Sequence, residues 1–104
     1  MIYYAIWKMY TVKLLTEAEI ELTDACKWYE KQQAGLAKKF LSEVRHYLKL
    51  IAKNPQQFDV KFSKKYRFAV LHTFPYFMAY RIEEDSNFVY VISIFHTRRN
   101  PVNF

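Results

Sequence analysis

The chain has 104 residues, the length of one compact domain, with no room for a second unit that folds independently. Its 52 % hydrophobic and 19 % aromatic content excludes intrinsic disorder, and one Gly with three Pro leaves no linker or low-complexity tract. Sixteen Lys and Arg against ten Asp and Glu give a net charge of +6, which favours a polyanion or an acidic protein as partner without choosing between them.

The lone cysteine, Cys26, cannot form an internal disulfide, and one Cys with three scattered His offers no metal-ligand spacing. A single glycine excludes a glycine-rich phosphate loop, so neither a metal nor a nucleotide cofactor is expected. The apolar opening at residues 1–7 is too short to span a bilayer and lacks the marks of a signal peptide. A soluble, cytoplasmic protein is therefore expected. Met9 is a plausible first residue: residues 1–8 are expected to be an extension or a start-site artefact, and residues 9–104 the single domain.

In chain order, residues 10–15 are rich in β-formers and predict a first strand. Thr16 and Glu19 have the spacing of a capping box, and Glu17, Glu19, Glu21 and Asp24 put negative charge in the opening turns of a helix. Ala18, Leu22, Ala25 and Tyr29 form its apolar stripe, and it should stop near Gln32, with Gly35 in the turn. A second helix follows from Leu36, Phe40, Val44, Tyr47 or Leu48, and Ile51, ended by Asn54-Pro55. The period then changes to two, and residues 66–71, 76–82 and 88–95 predict three strands in a meander. The expected fold is α+β, of order βααβββ, with a helical hairpin on one face of a mainly antiparallel four-stranded sheet and polar and aromatic groups on the other.

Tyr66-Arg67-Phe68, Phe74-Pro75-Tyr76, Tyr80-Arg81 and the closing run Ile92-Ser93-Ile94-Phe95-His96-Thr97-Arg98-Arg99-Asn100-Pro101 resemble the C-terminal half of RelE/ParE toxins. Ala25-x-x-Trp28-Tyr29 is similar to the Trp-Tyr that members often carry before the helical turn. The likeness covers roughly residues 9–101. It implies the toxin of a bacterial type II toxin-antitoxin pair, neutralised by a cognate antitoxin. RelE-like members cleave messenger RNA on the ribosome and ParE-like members poison DNA gyrase, so the fold alone does not choose the target.

The residues favour the ParE-like reading. RelE-like ribonucleases carry Lys and Arg on neighbouring strands to stabilise the crowded phosphate. Arg67 fits one such position, but Ala69 stands where that pattern has Lys and Phe77 where it has Arg, and the downstream Tyr has no clear counterpart. A ribosome-dependent endoribonuclease and a degenerate non-toxic binding module remain as alternatives, so whether the chain is an enzyme stays open. The catalytic candidates are His96, Arg98 and Arg67, though a single strand-end histidine is more often structural. For target binding the candidates are Arg67, Arg98, Arg99, Lys64 and Lys65, with Lys61 beside them, converging on one end of the sheet. Arg81 is expected to pair with a helix carboxylate, His46 to be solvated surface, and Cys26 to act as a small apolar residue. An acidic antitoxin segment is expected to cover the second face of the sheet.

Overall fold

A computed structural model of the chain describes residues 9–61 and 65–99. Residues 1–8, and with them the expected extension, lie outside the described residues, as does Lys64. The elements are β1 (Thr11–Leu14), α1 (Thr16–Gln32), α2 (Leu36–Lys53), a 3-10 turn (Pro55–Gln57), β2 (Arg67–Val70), β3 (Tyr76–Glu83), a second 3-10 turn (Glu84–Ser86) and β4 (Phe88–His96). The sheet order is β1-β4-β3-β2. β2, β3 and β4 form the expected antiparallel meander, whereas β1 runs parallel to β4, with Thr11 opposite Phe88 and Leu14 opposite Val91.

Each junction has an identifiable cause. The amide of Leu15 donates to the Val91 carbonyl at 2.9 Å, which holds the chain in extended geometry until Thr16. Leu15 is consequently the N-cap of α1, Thr16 is already helical, and no side chain caps this end. The expected Thr16–Glu19 capping box does not form, because sheet pairing sets the junction one residue earlier than the side-chain pattern implies. The hairpin turn places Gly35 at φ 88°, a left-handed conformation that suits glycine. Glycine has no side chain to cap α2, and Glu30 of the preceding helix takes that role. Its carboxylate accepts from the amides of Gly35 at 3.1 Å and Ala37 at 3.3 Å, serving donors that the first turn of α2 leaves open. Asn87, at φ 58°, closes the tight turn between β3 and β4.

The core lies between the helices and one face of the sheet. Ala18, Ala25 and Tyr29 of α1 and Phe40, Val44 and Ile51 of α2 pack on Ala69, Met78, Tyr80, Val89, Val91 and Ile94, all buried. Tyr47 and Leu48 both pack against this cluster, so the ambiguity at that helical position has two occupants. The face away from the helices has two halves. Phe68, Ala79 and Phe95 form a second buried cluster with Phe77, Tyr66 and Ile92 beside it. Towards β1 the surface turns polar and aromatic: Arg81 lies over the ring of Tyr90 at 4.8 Å, and Phe88 stacks on Tyr90. Arg81 pairs with Glu83 of its own strand at 2.7 Å and not with a helix carboxylate as expected, since residues two apart on a strand point to the same side.

Two buried polar contacts tie the loops to this frame. The Tyr80 hydroxyl, inside the core, donates to the Pro55 carbonyl at 2.6 Å. Burial pushes its phenol far above the ordinary value, with Arg67 opposing, so it remains a donor. Glu43 of α2 accepts from the amides of Thr73 at 2.9 Å and Phe74 at 3.1 Å, pinning the β2–β3 turn. Partial burial works to raise the Glu43 pKa. The Phe74 and Thr73 hydrogen bonds, with the nearby His72, outweigh burial and hold it below 4.5.

Replacing Tyr80 by Phe leaves the Pro55 carbonyl without a donor, and we expect a loss of about 1–3 kcal/mol in urea denaturation. An unchanged midpoint would show that the contact contributes nothing. Because Glu43 is the stronger acid in the folded state, its contribution is present above its unfolded pKa and is lost as pH falls through the lower, folded value. Stability measured from pH 6 down to about 3 should therefore fall less steeply in Glu43→Gln than in the parent; parallel curves would refute the assignment.

Candidate functional site

β1 ends opposite Val91, while β4 continues to His96. Past that point the outer edge of β4 has no strand beside it in the sheet, and a free edge normally leaves backbone groups unpaired. A β-bulge between the Tyr80–Val91 and Ala79–Ser93 pairs inserts Ile92 as an extra residue and changes the direction of the strand here. Glu21 of α1 fills the gap. Its Oε1 accepts from the Ile94 amide at 2.9 Å and the Ser93 hydroxyl at 2.7 Å, and its Oε2 accepts from Arg99 at 2.6 Å.

This arrangement leaves a groove of about 680 Å³ between α1 and the joined ends of β3 and β4. Its apolar bed is made by Ala25, Trp28, Tyr29, Pro75, Tyr76 and Ile94, and its polar rim by Glu21 and Asp24 of α1 with His96, Arg98 and Arg99 at and after the end of β4. Trp28 is 56 % exposed, with its ring edge-on to Tyr29 at 5.2 Å. An indole held open to solvent beside buried rings is the kind of anchor that protein interfaces use. Burial raises the pKa values of Tyr29, Tyr76 and the Cys26 thiol. Cys26 packs half-buried against the core and stays a thiol, which makes it a poor nucleophile.

Of the residues picked from sequence, His96, Arg98 and Arg99 come together at the groove. His96 stands edge-on to Tyr76 at 5.4 Å, and its Nδ1 accepts the Arg98 amide at 3.1 Å. That bond engages Nδ1 as its acceptor, and in the tautomer that makes it Nε2 is the donor. Arg99 is engaged, by Glu21 and by the Phe95 ring at 5.6 Å. Arg98 is exposed and has no ion-pair partner among the described residues.

The expected convergence with Arg67 does not occur. Arg67 lies opposite Tyr80 and His96 opposite Tyr76. Four strand residues separate these positions, about 13 Å. The Arg67 guanidinium instead donates to the Phe58 carbonyl at 2.7 Å and the Gln56 carbonyl at 3.3 Å, clamping the segment after α2. Lys61 and Lys65 are exposed in the loop before β2, the Lys65 ammonium 5.7 Å from the Tyr66 ring centre. Ala69 is fully buried beneath the helices, and Phe77 packs against Phe68 and Phe95. Two positions of the ribonuclease pattern are thus built into packed clusters. Among the described residues no three His, Cys, Asp or Glu side chains gather as a metal site would need, and no helix is long and apolar enough to cross a membrane.

Sequence reasoning gave Glu21 a role in the helix dipole and missed its place at the strand edge. A signal existed: Glu21 is three residues after Ala18 and four before Ala25, so it interrupts the inward stripe of α1 with a carboxylate.

Residues 12–101 match the sequence model of the ParE toxin of the type II toxin-antitoxin system parDE. The chain belongs to the ParE toxin family. No curated protein matches the sequence. Among solved structures the chain is similar to the chromosomal ParDE toxin-antitoxin system of P. aeruginosa, with a TM-score of 0.72 at 16 % identity over 86 % of this chain and 97 % of that one. It is also similar to the intact E. coli RelBE complex, with a TM-score of 0.58 at 15 % identity over 86 % and 99 % of the two chains. The isolated E. coli RelE toxin gives 0.57 at 16 % identity over 90 % of each. At these identities the structures speak to the fold, and they place it nearer ParE than RelE.

Within this ParE-family fold, Glu21 has two separable parts. Its bond to Arg99 is half-exposed and should contribute under about 1 kcal/mol, whereas losing the acceptor for the Ile94 amide and Ser93 should cost about 1–3 kcal/mol. Glu21→Ala is therefore expected to destabilise the chain clearly more than Arg99→Ala in thermal unfolding. Equal losses would mean that the ion pair, and not the strand-edge bonds, carries the contribution.

Proposed function

We propose that this chain is the growth-inhibiting toxin of a type II toxin-antitoxin pair, that it acts on DNA gyrase in the cytoplasm, and that a cognate antitoxin neutralises it. The observation that carries the target reading is the fate of the cationic positions a RelE-like nuclease uses. Ala69 is sealed in the core, Phe77 is part of an aromatic cluster, and Arg67 is spent on two backbone carbonyls. A surface cation with a pKa far above 7 stabilises a phosphorane-like charge only when it can reach it, and these positions offer no such reach. Toxicity by binding needs no compact acid-base constellation, and membership of the ParE family favours it.

The groove supports the partner reading. Its apolar bed and exposed Trp28 suit an amphipathic segment, and Arg98 at the rim suits an acidic side chain on that segment. This reading seats the antitoxin in the groove and not over the second sheet face, where Phe68 and Phe95 are already buried.

Induced expression in a bacterium, with and without the neighbouring antitoxin gene, tests both parts. The expected result is growth arrest with gyrase-linked DNA breaks and intact messenger RNA ends, relieved by the antitoxin. Cut messages without DNA breaks would overturn the gyrase reading. Trp28→Ala with Arg98→Ala should weaken antitoxin binding at least tenfold, within the usual range for an interface anchor; unchanged affinity would remove the antitoxin from the groove.

A further inference from the structure

The solvent side of α2 carries an unusual charge pattern. Lys38, Arg45, Lys49 and Lys53 are all exposed, and Lys39 flanks them. At 100° per residue these five fall within an arc of about 120°, centred opposite the core residues Phe40, Val44 and Ile51. From Lys38 to Lys53 the row is about 22 Å long at 1.5 Å per residue. Exposed helices ordinarily interleave acids three or four residues from such bases. Here the only acid is Glu43, and its carboxylate is turned to the Thr73 and Phe74 amides. Neither of the two ion pairs among the described residues involves α2.

The acids are elsewhere: Glu17, Glu19, Glu21, Asp24 and Glu30 belong to α1. Five of the sixteen Lys and Arg thus share one face of a rigid helix, with no acid within their arc. That face also lacks what a protein partner would grip. The large apolar side chains exposed among the described residues are Met9, Leu15, Ile20, Trp28, Val60 and Val70, none of them on α2. A protein interface without an apolar anchor is weak, whereas a phosphate backbone needs only regularly spaced cations. Single strands are gripped largely by stacking of bases on a series of aromatic rings, whereas this row holds one exposed ring, His46, and Tyr47 is turned into the core.

We infer that this face of α2 binds the phosphate backbone of duplex DNA without reading its sequence. The surface lies opposite the helix side that packs on the sheet, shares no residue with the groove, and does not depend on which target the toxin poisons. It gives the chain its own hold on DNA.

The test uses the full chain and a labelled duplex of arbitrary sequence, followed by fluorescence anisotropy between about 50 and 200 mM salt. The triple variant Lys38→Gln, Arg45→Gln, Lys49→Gln should lower the salt dependence of log K by about 2.7, from 0.9 per phosphate contact, and bind at least tenfold more weakly at low salt. The charge-matched control Lys13→Gln, Lys27→Gln, Lys31→Gln removes three exposed cations from other elements and should change binding less than threefold. All six substitutions are at exposed positions, and thermal unfolding verifies that both variants fold. Equal losses in the two variants would reduce the effect to net charge and overturn the proposal. So would absence of duplex binding by the parent, tighter binding of a single strand of equal length, or displacement of the duplex by polyglutamate at equal charge concentration.

Discussion

The parallel pairing of β1 with β4 is the constraint on which the molecule is organised. It joins the start of the described chain to its end, and it stops at Leu14 because Leu15 must turn into α1. The longer β4 then has an outer edge that no strand covers. A carboxylate from α1 completes that edge, and the space beside it becomes the groove. The short first strand, the bulge, the buried hydrogen bonds of Glu21 and the exposed Trp28 are therefore parts of one arrangement.

Charge is divided between the two helices with little overlap. α1 holds acids, one used at the strand edge and one at the hairpin turn, while α2 holds bases and one internally committed acid. The carboxylates Glu21, Glu30 and Glu43 each accept backbone amides at a place where secondary structure leaves donors open: a strand edge, a helix start and a tight turn. A chain with one glycine and few turn residues can in this way end its elements sharply without the usual local caps.

Most of the architecture was legible from periodicity. The helices follow from the stripes Ala18–Leu22–Ala25–Tyr29 and Phe40–Val44–Ile51, and the meander from the change to period two after the Asn54-Pro55 stop. The boundaries were off by one or two residues where pairing across the sheet, which no local pattern encodes, set the end. Thr16 shows this most clearly: its capping pattern is real as a spacing, yet Leu15 is held by Val91, 76 positions away in the sequence. The site was legible in part. Strand alternation identifies His96, Arg98 and Arg99 as neighbours of one strand end, but it cannot say that Arg67 starts β2 four positions from that end, or that its charge is absorbed by carbonyls after α2. Glu21 was hidden because its partners lie more than 70 residues away, next to a bulge that no local pattern announces.

The β1–β4 pairing has a further consequence for when the protein becomes competent. The helical hairpin is a local structure and its turn is closed by Glu30, so it can form as soon as residues near Ala37 are available. The sheet cannot close early. Thr11 waits for Phe88 and Leu14 for Val91, and the groove rim at Arg98 and Arg99 follows only after that. The hairpin can thus form before the sheet, whereas the groove takes shape only once β4 is in place beside β3 and α1.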